Sequence, residues 1–552
     1  MDRNRSNSRL MKDFKVCLNG LVKLLRPILP RVLGCSFVYL LEAACSLAFV
    51  WYSKRVVDIA TGLLDASLNR NVFIMVILMV AQIGFRIFSK RIEGEVSVKA
   101  KLDIRKRAFD KALSSSWNGR DKYHSADVVN RLEEDIRVVS EFLCVSLPSA
   151  VVTIVQLIAA ATMLFIFSSK LAWIIIWIMP VAVVAARLYF KKLRALSSDI
   201  RTLDGRIQGH IQEHLQSRIL IKTLGAEKMV GDKLDKLQHD ELSKTRTRLD
   251  YSAISRFFMQ AGFSAGYLTA FLWGVYGLRD GSVTYGLMVA FLQLVGQVQR
   301  PVASLASYIP AFIKALSSEV RLLDIDEMKN DATQGQRILS GALSVSVKNL
   351  CFSYENGTKV FDDFSCDFES GELTAVCGPT GKGKSTLAAL ILGVLKPNSG
   401  SITISNKKEN IPVGMDTRGN FMYVPQGNSL LSGTIKENLL LARPNATEEE
   451  LADVLHCAAA DFVFDLPLGI DTQCSEVGKG LSEGQCQRIA IARALLHDGG
   501  ILILDESTSA LDPATEMTVL ERLHERYYHS KTIICITHRV AVADLADHVI
   551  SL

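Results

Sequence analysis

The stretch that decides how this chain is read is Cys377–Leu387, CGPTGKGKSTL. Gly378, four intervening residues, then Gly383, Lys384 and Ser385 fill the phosphate-binding loop pattern completely. Leu373–Cys377 before it is short and apolar, as a buried strand should be. Thr386–Leu395 after it suits a helix. Glycines let the backbone wrap closely, so successive N–H groups point inward at a helix N-terminus and form an anion nest. The candidate phosphate contacts are Gly378, Pro379, Thr380, Gly381, Lys382, Gly383, Lys384, Ser385 and Thr386. Lys384 supplies a point charge for β and γ phosphates, and Ser385 a hydroxyl for Mg²⁺.

Outward from the loop, further residues fit the same chemistry. Tyr354 ends the run Leu350–Ser353, where an aromatic ring can stack on a purine or serve as an ordinary strand tyrosine. Gln426 follows Phe421–Val424 and a proline, at a strand end where ligands gather. Ile501–Leu504 is apolar throughout, suiting a strand buried on both faces, and leads into Asp505 and Glu506. Asp505 is placed to hold the Mg²⁺ shell and Glu506 to polarise an attacking water as general base. His538 closes the run Thr532–Thr537 and is a candidate partner for the γ phosphate.

The first 300 residues are of another kind. The chain has 552 residues, enough for two or three domains, with 49% hydrophobic residues and a mean hydropathy of +0.21. A spanning helix needs about 20 mostly apolar residues. Six stretches qualify: Val32–Tyr52, Val72–Phe88, Pro148–Phe167, Leu171–Phe190, Phe257–Leu278 and Tyr285–Gln299. Lys and Arg number eight in residues 1–31, twelve in 90–141 and thirteen in 191–250, against five in the three opposite segments. This bias places both termini in the cytosol. The net charge of +6 therefore belongs to cytosolic loops rather than to a nucleic-acid surface. The polar stretches between the spans carry apolar residues at helical spacing, such as Leu102, Phe109 and Leu113, then Leu193, Ile200, Ile207 and Ile211. They read as spans prolonged into the cytosol, interrupted by turns around Tyr123–Asp127 and Gln216–Arg218.

Glu42, Gln82, Arg86, Gln260, Gln293, Gln297 and Arg300 are polar groups within or beside the spans. They line a path for cargo or bond helices together, and the sequence leaves both readings open. The N-terminus is polar and basic, unlike a cleaved signal peptide. The eleven cysteines contain no CxxC pair, which fits a reducing compartment. The expected divisions are a cytosolic N-terminal segment (1–31), a membrane domain (32–323), a polar linker (324–341) and a nucleotide domain (342–552). Leu343, Val345 and Val347 open the last with strand alternation.

Leu481-Ser482-Glu483-Gly484-Gln485 ahead of the helix Cys486–Leu496 narrows the class. It resembles the signature of ATP-binding cassette (ABC) proteins. The order Tyr354, phosphate loop, Gln426, signature, Asp505-Glu506, Ser509–Asp512 and His538 is similar to that family throughout. Six spans ahead of the cassette resemble its exporter branch, in the half-transporter form. The resemblance implies an all-α membrane domain of six transmembrane helices with long cytosolic extensions, followed by an α/β P-loop NTPase domain of ABC type. It implies ATP and Mg²⁺ as cofactors, and a second half-transporter as partner. Ser482, Gly484 and Gln485 of one chain would then complete the site made by Lys384, Ser385, Asp505 and Glu506 of the other. A homodimer is the simpler assembly because every catalytic position is present, and a heterodimer stays open. ATP binding would close the cassettes and hydrolysis reset them.

Three departures stand out. Glu483 replaces a small glycine of the signature and brings negative charge towards a phosphate site. Lys382 adds positive charge inside the loop. The chain stops at Leu552, where the family runs on through a strand and a terminal helix, so a truncated or unusually short cassette is expected. The implied activity is ATP-driven export across a plasma or bacterial inner membrane. Lipids, peptides and amphipathic small molecules all remain candidate cargoes, and leader-peptide cleavage is not expected. An ATP-gated channel is the rival reading, and the spans argue against a soluble cassette acting on nucleic acid.

Overall fold

The computed structural model describes residues 16–115, 125–169, 172–173, 190–328, 330, 335–354, 357–379, 381–474 and 480–552. Most of the expected fourth span, Leu171–Phe190, Tyr123 and His124 of the first expected turn, and Thr380 of the phosphate loop lie outside these residues. The chain forms two compact units, residues 1–109 with 129–326 and residues 110–128 with 327–552.

The first unit is helical. Val16–Leu25 and Leu29–Ala60 open it, followed by Leu68–Leu113, Leu147–Phe167, Phe190–Gln216, Arg218–Leu224, Glu227–Arg279 and Tyr285–Asp326. At 1.5 Å per residue the 46-residue and 53-residue helices run to about 70 and 80 Å. Each outreaches a hydrocarbon core of about 30 Å. Among the described residues three helices are long and apolar enough to cross a membrane: Leu29–Ala60, Leu68–Leu113 and Asp127–Phe167. The expected spans Phe257–Leu278 and Tyr285–Gln299 lie within Glu227–Arg279 and Tyr285–Asp326.

Side chains such as Phe73, Val80, Ile83 and Ile87 face outward from Leu68–Leu113. This distribution suits a protein whose solvent is lipid. The interior is made of close helix contacts. Phe291, Leu294 and Val295 meet Val50, Leu164 and Ala270 in one cluster. Gly286 lies so near Lys54 O and Asp58 that any side chain there would collide with them. Asp58, 2% exposed, accepts the Gly286 N–H at 3.2 Å and pairs with Lys54 at 2.9 Å. It thereby places a carboxylate at the start of the helix Tyr285–Asp326, where the helix dipole favours it.

The cytosolic extensions are helical as expected, and the structure adds which of their faces is buried. Leu102, Phe109 and Leu113 are exposed, and the buried line on that helix is Val96, Ala100 and Ile104. Spacing alone could not choose between the two faces, because both carry apolar residues. On Phe190–Gln216 the buried residues include Ile200 and Ile207, whereas Ile211 is exposed. The break around Gln216–Arg218 is present at Ser217.

In the second unit, five parallel strands stand in the order His548–Ser551, Leu373–Cys377, Thr532–Ile536, Ile501–Asp505 and Phe421–Val424. Every residue of Thr532–Ile536 and of Ile501–Asp505 is buried, as the apolar runs Ile533–Ile536 and Ile501–Leu504 within them demand. A second, antiparallel sheet pairs Ser344–Ser353 with Lys359–Phe368 on one side and Ser399–Ser405 on the other. One core joins Phe352, Phe361 and Phe368 of this sheet to Leu387 and Ile391 of the helix after the phosphate loop. His548–Ser551 is an edge strand paired with Leu373–Cys377.

Candidate functional site

The parallel sheet gathers the motifs at the C-terminal ends of its strands, where α/β folds bind ligands. Leu373–Cys377 delivers the phosphate loop, Phe421–Val424 delivers Gln426, and Ile501–Asp505 delivers Glu506. A cleft of about 280 Å³ opens there, lined by Tyr354, Gly381, Gly383, Lys384, Ser385, Thr386, Gln426 and Glu506, with Thr358 and Val360.

Gly383, at φ +98°, caps the helix Lys384–Ile391. A Cβ there would meet Val360 Cγ1 at 2.5 Å, so both the conformation and the close approach require glycine. Lys384 is 5% exposed and its ammonium donates to the carbonyls of Gly378 at 2.7 Å and Pro379 at 3.4 Å. Lys382 is exposed and does not line the cleft. The Tyr354 hydroxyl shares a hydrogen bond with Thr386 Oγ1 at 2.9 Å, while its ring packs edge-on against Phe352.

Ser385 Oγ donates to Asp505 Oδ1 at 3.2 Å, and Tyr423 donates to the other carboxylate oxygen at 3.4 Å. Burial pushes the Asp505 carboxyl above the usual carboxylate range, while the Ser385 hydrogen bond opposes that shift. A hydroxyl and a buried carboxylate side by side are hard oxygen donors of the kind Mg²⁺ takes. The set therefore fits a Mg²⁺–nucleotide: Ser385 and Asp505 are the residues that would hold the metal shell, and the loop is the element that would hold phosphate.

Glu506 has a left-handed backbone, φ +46°, unusual for a residue other than glycine. Its N–H donates to Ile536 O at 3.0 Å, which anchors that turn to the neighbouring strand. The carboxylate consequently faces the cleft, where it accepts Gln426 Nε2 at 2.7 Å and lies 3.6 Å from Lys384 Nζ.

His538 is exposed and is not among the cleft-lining residues. Ser482, Gly484 and Gln485 also lie outside the cleft lining. Ser482 instead caps the helix Glu483–Leu495, its hydroxyl accepting the Gln485 N–H at 3.2 Å while Gln485 Oε1 accepts the Ser482 N–H at 2.8 Å. Glu483 is exposed in the first turn, where a carboxylate stabilises a helix by roughly 0.3–1 kcal/mol.

Sequence reading missed the side chains that hold the loop Ser509–Asp512. Arg539 donates to Ser509 O at 2.7 Å, to Leu511 O at 3.1 Å and to Glu516, itself 2% exposed, at 2.5 Å. From the signature helix, the buried Gln487 accepts the Ala510 N–H at 3.1 Å. A Cβ on Gly484 would sit 2.9 Å from Ala510 O, so the signature glycine lies directly on this loop. Only the adjacency of Arg539 to His538 hinted at such a role.

Comparisons with known proteins agree with this geometry. The ABC transporter transmembrane region family matches residues 32–302, and the ABC transporter family matches residues 361–509. A putative multidrug export ATP-binding/permease protein of Staphylococcus aureus (strain bovine RF122 / ET3-1) is 30% identical over 462 residues, 82% of this chain and 79% of the relative. A putative export ATP-binding/permease protein of Rickettsia bellii is 27% identical, covering 89% and 85%. An ABC multidrug transporter of Aspergillus fumigatus is 29% identical over 85% of this chain, which spans 59% of that relative's length. A bacterial Atm1-family ABC exporter solved with ATP bound superposes at a TM-score of 0.79, with 25% identity and coverage of 95% and 93%. The fold and site define a membrane-embedded transport ATPase. The chain belongs to the ABC export ATP-binding/permease family, as a half-transporter that dimerises with another half.

Proposed function

We propose that this chain exports a substrate across the plasma or bacterial inner membrane as a homodimer, with both termini in the cytosol. The division is the one read from the sequence: a cytosolic segment to residue 31, a membrane domain over 32–323, a linker over 324–341 and a cassette over 342–552. The observation that carries the reading is the Lys384–Glu506–Gln426 constellation over the Ser385–Asp505 pair, in a chain with helices suited to lipid.

ATP with Mg²⁺ supplies the hydrolysable phosphoanhydride and the charge that offsets its phosphates. The phosphate loop from Gly378 to Thr386, including Thr380 and Lys382, wraps the phosphates, with Lys384 providing the cation. Tyr354 packs against the base. Ser385, Asp505 and Gln426 hold the metal shell. Glu506 accepts a proton from attacking water, and its bond to Gln426 keeps the carboxylate oriented. His538 contacts the γ phosphate once a second cassette closes over the site. Ser482, Gly484 and Gln485 are contributed by that second cassette, which accounts for their distance from this chain's own cleft lining. Heterodimeric assembly with a different half remains the alternative pairing.

The test is reconstitution of the full chain in proteoliposomes. Uphill, ATP-dependent movement of a compound that also stimulates hydrolysis is expected. Passive flux gated by ATP, with negligible turnover, would replace the pump by a channel. Cross-linking single-cysteine chains in the same vesicles separates homodimer from monomer.

A further inference from the structure

Two charged side chains of the second unit take no part in the chemistry of the cleft. Lys382 lies between Gly381 and Gly383, which both line the cleft and both have left-handed backbones, φ +87° and +98°. The loop therefore fixes where residue 382 leaves the main chain, at the edge of the cleft. Its side chain is exposed, does not line the cleft and has no ion-pair or hydrogen-bonding partner among the described residues. Lys384 behaves oppositely: it is buried, donates to Gly378 O and lies 3.6 Å from Glu506. One lysine serves the chain's own phosphate site, and the other is turned out from it.

Glu483 is the counterpart of opposite sign. It lies between Ser482 and Gly484, at the first position of the helix Glu483–Leu495, where the reciprocal Ser482 and Gln485 hydrogen bonds hold the backbone. Its carboxylate is exposed and likewise has no ion-pair or hydrogen-bonding partner among the described residues. Cys486 and Gln487, three and four positions on, offer it no cation on its own helix. Helix stabilisation accounts for a carboxylate in the first turn. It does not account for one set between the two residues assigned above to a partner's phosphate site, where an uncompensated negative charge opposes closure over bound phosphates.

We infer that Glu483 of each protomer forms an ion pair with the partner's Lys382 when the cassettes close, so that the surface fitting the signature helix is that of a second copy of this chain. The inference rests on the homodimer reading above and adds a contact that favours it. Lys382 stands on the edge that Ser482 and Gly484 approach, and Glu483 stands between those two. A two-fold interface is isologous, so one lysine and one glutamate per chain give two pairs at once. The pair sets a cation against the charge that Glu483 brings in, and it selects against a half lacking the lysine.

The experiment uses the full chain in nanodiscs, carrying Glu506→Gln to block hydrolysis, and reads the lifetime of radiolabelled ATP retained after rapid desalting. Lys382→Glu should shorten that lifetime about tenfold, because two carboxylates then face each other. Glu483→Lys should shorten it when introduced alone and lengthen it when added to Lys382→Glu. A Glu483→Lys effect of the same sign in both backgrounds would mean that each charge acts on phosphate independently, and the pair would be overturned. A cross-link covers the case in which Lys382→Glu disables the loop itself. Differently tagged chains, one with Lys382→Cys and the other with Glu483→Cys, should join through a short bis-maleimide when ATP is present and not in its absence. Each variant mixed with the unaltered chain gives the background from native cysteines. If the Glu506→Gln chain retains ATP but the two tags never join, the pair falls and the closed dimer stands. If the chain alone neither retains ATP nor cross-links, the homodimer falls and the pair with it. ATP-dependent cross-linking without uphill transport upholds the pair and removes the pump.

Discussion

The two units of this chain solve opposite problems with the same amino acids. In the cassette, apolar residues are sequestered: Ile501–Leu504 and Ile533–Ile536 are almost completely buried in the sheet, and polar residues are brought to the strand ends. In the helical unit, large apolar side chains such as Phe73, Ile83 and Ile158 point outward, and polar groups such as Asp58 and Gln297 turn inward. The cassette is organised by short turns after strands, which hold side chains such as Glu506 against the neighbouring strand. The helical unit is organised by close glycine contacts and a few internal polar bonds. Precision for chemistry therefore belongs to the first arrangement and room for a cargo to the second.

The largest expected effect tests the precise half. Glu506→Gln keeps the shape of the side chain and removes the base, so hydrolysis should fall by a factor of about 10² or more. Binding of a fluorescent ATP analogue should persist, because the loop around Lys384 is untouched. Hydrolysis at the native rate in that variant would strip Glu506 of its role.

A smaller effect is expected where the cassette's strand ends are tied to its signature helix. Arg539→Ala removes bonds to Ser509 O and Leu511 O and leaves buried Glu516 unpaired. We expect kcat to fall roughly tenfold with KM for ATP little changed, the signature of lost positioning. Cassette stability should fall by about 2 kcal/mol, from loss of hydrogen bonds to charged groups. Arg539→Lys should recover part of the stability and less of the rate, since lysine cannot span two carbonyls and a carboxylate together. Equal losses in kcat/KM and in nucleotide affinity would mark Arg539 as a structural residue only.

The difference between the units also explains what could be read in advance. The phosphate loop, Asp505-Glu506 and Gln426 were legible because each is a local motif attached to a local strand. The clamp on Ser509–Asp512 was not, because Arg539 and Gln487 reach it from distant parts of the chain and neither belongs to a recognisable spacing. Apolar length marked Val32–Tyr52 and Val72–Phe88 as spans, since hydropathy is a property of a window. Which face of Leu68–Leu113 would be buried was not available from the window. Val96, Ala100 and Ile104 are no more apolar a set than Leu102, Phe109 and Leu113. The helix Val16–Leu25 was hidden for a related reason: the basic residues before it dominated the reading of residues 1–31.

That helix gives the smallest and most pH-sensitive effect. Its Gly20 lies directly against Glu319 of the helix Tyr285–Asp326, and Lys23 pairs with Asp326 at 2.9 Å. Glu319 is 2% exposed and its Oε2 has no partner. Burial pushes its carboxyl up to about 7; the Asp326 charge adds to this and Lys23 opposes it. The folded protein therefore holds this proton over a range where an unfolded chain, with a carboxyl near 4.5, has released it. Between those values stability falls as pH rises, because the native state binds more protons than the unfolded one. The contact is thus fully stabilised below about pH 4.5 and weakened as pH passes 7. Hydrogen exchange of residues 16–25 in the reconstituted chain should speed up several-fold between pH 6 and pH 8, after correction for intrinsic exchange. Glu319→Gln, neutral at every pH, should abolish that change while keeping the helix docked. A pH response that survives in Glu319→Gln would assign it to the exposed Lys23–Asp326 pair or elsewhere, and Glu319 would then be a buried carboxyl without influence on the N-terminal helix.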